Sequence, residues 1–216
     1  MAVREKFEDD LHLLKDKLVS LGKLAESSLI KAFEAFETQN YDLALEVLEG
    51  DEKANILEEE INDFAILLIA KQQPVAIDLR RIIACIKIAA DVERIADYGV
   101  NIAKAAIRIG NKNQSIQVDE LKKMHTLVLE MLKLSIKAYV EEDIQVAKDI
   151  SLMDDEVDHL YGQSMKQLLK DSYEQFQQVT QISLVARHLE RTGDHITNIA
   201  ENIYYLVRGR HLDLNK

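Results

Sequence analysis

One polar pattern occurs twice along the chain: Glu93, Asp97 and Asn101, then Glu190, Asp194 and Asn198. Residues four apart on a helix lie one turn above each other, so each copy draws an oxygen-rich stripe up one helix face. A second set precedes each stripe. Asp51 and Asn55 flank Ala54 in the first half, and Asp154 and Asp158 flank Val157 in the second. Carboxylates brought together from two helices raise one another's pKa unless a cation intervenes. A hard or borderline cation with oxygen ligands, such as Fe, Mn, Mg or Ca, would relieve that repulsion. The chemistry these residues could do is therefore metal binding, once per half.

The plainer reading of the same spacing is a solvated polar face. Lys104 and Arg108 continue the first stripe, and acids at i, i+4 are common on exposed helices. The spacing alone favours this reading. At 100° per residue the second stripe lies opposite the apolar seam through Ile196 and Ile203. The stripes are thus expected to face outward or into a shallow groove.

Other candidates are weaker. His188 and His195 flank the second stripe, but the first copy has Asp91 and Tyr98 there; both histidines read as surface residues. Glu156-x-x-His159 has the spacing of a di-iron carboxylate motif. Its counterparts, Lys53 and Ile56, cannot complete one, which removes the second half of an oxidase. Gly162 and Gly193 have no glycine-rich company, so no phosphate-cradling loop is expected. Cys85 sits in the apolar run Ile82-Ile-Ala-Cys-Ile86 and reads as core. Tyr204 and Tyr205 read as packing.

Long helices must position these residues. One proline and seven glycines in 216 residues leave few breaks, and Ala, Leu, Ile, Glu and Lys favour helix. Phe7, Leu11, Leu14, Leu18, Leu21 and Ala25 step by four and three, as do Ile182, Val185, Leu189, Thr192, Ile196, Ile199, Ile203 and Leu206. The pattern predicts an all-α protein with six long helices, at about 4–37, 41–72, 75–109, 116–139, 142–171 and 174–208. Pro74 fits the first turn of the third helix. Gly110-Asn-Lys-Asn113 is the clearest break.

The two halves align. Ile30-Lys-Ala-Phe33 matches Ile136-Lys-Ala-Tyr139 at an offset of 106 residues, and Asp51 matches Asp154 at an offset of 103. Glu93-Arg94, Asp97 and Asn101-Ile-Ala103 match Glu190-Arg191, Asp194 and Asn198-Ile-Ala200 at an offset of 97. This is an internal duplication. The expected architecture is two tandem, pseudo-symmetric three-helix bundles, residues 1–110 and 111–216, forming an elongated molecule.

Composition excludes several classes. A net charge of -11 argues against nucleic acid and against an anionic lipid surface. A single cysteine can form no intrachain disulfide, which fits a reducing compartment. The longest apolar runs fall far short of the roughly 20 residues a membrane helix needs. The N-terminus opens into charge with no apolar signal core. The expectation is a cytoplasmic protein without direct membrane insertion.

Three stretches go beyond generic helix: Gln73-Pro-Val-Ala-Ile-Asp-Leu-Arg80, Lys87-Ile-Ala-Ala-Asp-Val-Glu-Arg-Ile-Ala-Asp97 and Ala186-Arg-His-Leu-Glu-Arg-Thr-Gly-Asp-His-Ile-Thr-Asn-Ile-Ala200. Together they resemble the signatures of the PhoU family of bacterial phosphate-uptake regulators, across essentially the whole chain. The resemblance implies a non-catalytic accessory protein that keeps the phosphate-starvation response off when phosphate is plentiful. It implies two partners, the phosphate transporter's ATPase subunit and a sensor histidine kinase, and a homodimer. It also implies multinuclear metal binding through acid-x-x-x-acid pairs, by a transition metal (Fe, Mn or Zn) or Mg. Carried over by position, the ligands are Glu93 and Asp97, Glu190 and Asp194, and Asp154 and Asp158. Asn55 departs from the pattern, bringing a neutral amide where the second copy has Asp158. The alternative is a carboxylate-metal helical bundle acting as a metal store or a di-iron-type enzyme.

Overall fold

The apolar seams become the interior. Phe7, Leu14, Leu18, Leu21 and Ala25 are buried along the first helix, and Val185, Leu189, Ile196, Ile199, Ile203 and Leu206 along the last. Thr192 lies fully buried in its seam because its hydroxyl donates to the His188 carbonyl at 2.8 Å. In the computed structural model, residues 2–110, 119–168 and 176–214 are described. They form α1 (Ala2–Thr38), α2 (Tyr41–Gln72), α3 (Ala76–Ile109), α4 (Asp119–Glu141), α5 (Val146–Leu168) and α6 (Phe176–Arg208).

Helices α1, α2 and α3 pack on one another, as do α4, α5 and α6. The units are joined by α3 against α6 and, less extensively, α1 against α4. The expected pair of three-helix bundles is therefore present. Among the described residues, α2 and α5 touch only helices of their own unit and form the two flanks.

Helix ends follow local chemistry. Asn40 caps α2, its side-chain oxygen accepting the Leu43 N–H at 3.1 Å. Helix α2 ends at Gln73, which is left-handed (φ 48°) and donates its N–H to the Ile69 carbonyl. Pro74 does not begin α3 as expected. Val75 is the extended N-cap, and the helix starts at Ala76. Helix α5 begins four residues later than expected, at Val146 rather than 142, because Glu142 is left-handed and the Asp143 carboxylate accepts the Gln145 N–H at 2.8 Å. Gly110 closes α3. The rest of the expected linker, the expected start of the fourth helix at 116, and the expected ends at 171 and 174 lie outside the described residues.

At one end, the buried Asp78 accepts from Arg4 at 2.8 Å and Arg81 at 3.2 Å, and Arg81 reaches Glu142 at 2.7 Å. This network ties the starts of α1 and α3 to the end of α4.

Candidate functional site

In the second repeat, Asp154 and Asp158 on α5 face Glu190 and Asp194 on α6. Asp154 nests over Gly193, where a Cβ would collide with its Oδ1. The glycine that stood alone in the sequence is thus the space in which the carboxylate sits. Burial is the main force on Asp154, followed by repulsion from Asp158, Asp194, Asp155 and Glu190; together they push its pKa up to about 7. Glu190 is raised by burial and then by Asp194, and Asp158, at the open edge of the groove, by partial desolvation and then by Asp194 and Asp155. The Asp154 Oδ1 and Glu190 Oε2 atoms are buried without a hydrogen-bond partner.

The first repeat repeats the theme with more cations. Asp51 on α2 is raised by burial and by Asp97, with Lys104 opposing. Glu93 is raised by burial and Asp97, with Arg94 opposing. Arg94 holds Asp97 at 2.7 Å. The Asp51 Oδ1, equivalent by position to that of Asp154, is likewise buried and unpartnered.

Glu93, Asp97, Asn101, Glu190, Asp194 and Asn198 are all half-buried, in grooves rather than on an open face. Asn55 and Asp158 are exposed. Asn198 turns away from the carboxylates and donates to Asp91 of α3 at 3.5 Å. Glu156 and His159 point outward, His159 bonding Gln163 at 2.8 Å. Among the described residues, no three His, Cys, Asp or Glu side chains converge on one point as a preformed ion cage would require. The donors are nonetheless oxygens with unmet hydrogen-bonding capacity, which suits a hard or borderline cation.

The expectation that His188 and His195 are surface residues is corrected. Both are half-buried between α3 and α6. His195 Nδ1 lies 2.9 Å from Asp91 Oδ1, and its Nε2 lies 3.4 Å from the Tyr98 hydroxyl. His188 stacks on Tyr98 with ring centroids 5.6 Å apart, and burial lowers its pKa. A signal existed: Asp91 and Tyr98 are seven residues apart, as are His188 and His195, so each pair shares a helix face. The repeat offset aligns the two pairs, and across a pseudo-two-fold axis they meet.

Other sequence readings hold. Cys85 is buried, its thiol pushed up to about 12 by desolvation. Tyr205 stacks on His211 at 4.7 Å, and the Tyr204 hydroxyl accepts from Arg210 at 3.2 Å.

A duplicated three-helix bundle with facing carboxylates in each unit defines the structural class. The PhoU domain family model matches residues 18–106 and 121–203, one match per repeat. A "Phosphate-specific transport system accessory protein PhoU homolog" of Clostridium acetobutylicum is 38% identical, over 98% of this chain and 99% of its own. The solved structure of PhoU from Pseudomonas aeruginosa superimposes with a TM-score of 0.90 at 31% identity, covering 94% of this chain and 100% of that one. The phosphate transport system regulatory protein PhoU from Streptococcus pneumoniae gives 0.89 at 29%, covering 96% and 99%. This chain belongs to the PhoU family, whose relatives carry the names of accessory and regulatory proteins. Among the described residues no helix is long and apolar enough to cross a membrane.

Proposed function

We propose that this protein is a non-catalytic adaptor of a phosphate transport system, acting on the cytoplasmic side as a homodimer. It links the transporter's ATPase subunit to a sensor histidine kinase and holds the phosphate-starvation response off when phosphate is plentiful. The observation that carries the reading is end-to-end similarity to a named accessory protein of phosphate transport. The physical character agrees. An acidic double bundle can shift a kinase or transporter only by binding one of its states better than another. Its contacts with basic patches should weaken with salt.

A bound cation belongs to the same proposal. Asp154, Asp158, Glu190 and Asp194 would hold it in the second repeat, and Asp51, Glu93 and Asp97 in the first, with Asn55, Asn101 and Asn198 at the margins. Such an ion, a transition metal (Fe, Mn or Zn) or Mg, would supply positive charge that offsets carboxylate repulsion across each groove. The orphaned oxygens of Asp51, Asp154 and Glu190 support this. The first repeat is the weaker site, because Arg94 and Lys104 already offset its acids.

The test is deletion of the gene in its host, with phosphate uptake and a starvation reporter measured in rich phosphate. Pull-downs of the ATPase and kinase at low and high salt accompany it. Derepressed reporter or unrestrained uptake, with salt-sensitive recovery of both partners, is the expected result. Normal repression with recovery of neither partner would overturn the proposal.

A further inference from the structure

The outer face of α2 has properties that packing within its bundle does not require. Glu49, Glu52, Ile56, Glu59, Asp63, Ile66, Leu67 and Ala70 step by three and four and form one continuous stripe. Ile56, Ile66 and Leu67 are 48%, 60% and 43% exposed. The stripe continues into the turn before α3, where Val75 is 74% exposed. That turn is strained: Gln73 (φ 48°) and Ala76 (φ 50°) are both left-handed without being glycine.

Helix α2 is also the most acidic of the six helices, and four of its acids, Glu49, Glu52, Glu59 and Asp63, lie on this face. Helix α2 carries nine carboxylates against two lysines, more than half of the net charge of -11. Glu46 and Glu60 are held by Lys31 and Lys17. Glu49, Glu52, Glu59 and Asp63 have no ion pair among the described residues.

The duplication supplies an internal control. At an offset of 103, Ile56, Glu59, Glu60 and Asp63 correspond to His159, Gly162, Gln163 and Lys166 of α5. Among its described residues, α5 exposes only one large apolar side chain, Leu152. From Ile56 to Asp63 the stripe thus has no acidic or apolar equivalent in α5, although Glu52 keeps an acid in Asp155, and the counterparts of Ile66 and Leu67 lie outside the described residues.

Resting on the adaptor reading, we infer that the outer face of α2 is the docking surface for a basic amphipathic helix of a partner protein. Lysines or arginines of that helix would lie along Glu49, Glu52, Glu59 and Asp63. Its apolar residues would cover Ile66, Leu67 and Val75. The stripe is about 30 Å long, the length of a 20-residue helix. A second copy of this chain is a poorer occupant, because it would bring like charge to the face.

The experiment measures binding of the full-length protein to the purified ATPase subunit, and to the kinase's cytoplasmic portion, at two salt concentrations. Glu59→Lys with Asp63→Lys should weaken one of them at least tenfold at low salt and flatten the salt dependence. Ile66→Ser with Leu67→Ser should weaken the same partner about tenfold while leaving the salt dependence intact. Glu130→Lys with Glu156→Lys, exposed in the second repeat and equal in charge change, should stay within twofold of the parent. If the parent binds but the α2 variants behave like this control, the docking surface is wrong and the adaptor reading stands. If the parent binds neither partner, the adaptor reading fails and the inference falls with it. Sedimentation of the α2 variants as monomers beside a dimeric parent would show that a second copy covers the face, and would overturn the assignment.

Discussion

Asp91 of α3 and His195 of α6 lie 2.9 Å apart and join the two repeats through a half-buried polar contact. Its pseudo-symmetric counterpart is the stack of His188 on Tyr98. One mate is therefore a hydrogen bond and the other a ring contact. The duplication has diverged where its copies touch.

Asp91→Asn and His195→Gln should each destabilise the protein, and a double-mutant cycle should return a coupling of about 1 kcal/mol. Urea denaturation of the four proteins measures it. A coupling near zero would mean that the contact adds nothing between the repeats.

Asp154 should make the metal-free protein more stable in mild acid. Its folded pKa is about 7 against an ordinary 3.8, so the folded state takes up a proton that the unfolded chain refuses. The stabilisation is complete below the unfolded value and is lost as pH rises through about 7. Asp154→Asn should raise the melting temperature at pH 8 by roughly 4 °C, on the order of 2 kcal/mol. The same substitution should flatten the pH dependence between 6 and 8. A variant less stable than the parent at pH 8 in chelator would contradict this.

His125 should act in the opposite direction. Its ring stacks on Phe33 at 4.2 Å and lies 3.2 Å from the Leu29 carbonyl, joining α4 to α1, and burial lowers its pKa to about 4. The unfolded chain protonates first, so stability that is present above pH 6.5 is lost as pH falls toward 4. The loss should reach about 2 kcal/mol. His125→Phe keeps a ring on Phe33 and should remove that acid slope. Melting curves from pH 4 to 7 for parent and variant, compared as differences, separate it from Asp154.

Metal binding predicts that Glu190→Ala with Asp194→Ala lowers both metal content and melting temperature in metal-containing buffer. A site filled at 100 times its Kd would stabilise the parent by about 2.7 kcal/mol. Elemental analysis and thermal scans with and without chelator provide the measurement. Equal metal content in both proteins, or a parent whose melting temperature chelator leaves unchanged, would leave the stripes as grooves of unrelieved charge.

The helices, their duplication and the two stripes were legible in the order of residues. Each depends on short-range periodicity: a seam stepping by three and four buries one face wherever the helix packs, and Glu93-x-x-x-Asp97 lies on one face of any helix. Gly110 is punctuation read from residue type alone. How exposed the stripes are and what they meet was settled by packing between helices. The burial of Asp154 depends on Gly193 of another helix, and no pattern within α5 contains that distance. His188 and His195 looked solvated because each helix was read alone, whereas their partners lie about a hundred residues away on α3. The starts of α3 and α5 shifted because extended backbone at Val75 and left-handed backbone at Glu142 override propensity. Chemistry between helices is thus fixed by packing between distant segments, a relation that periodicity along the chain does not encode.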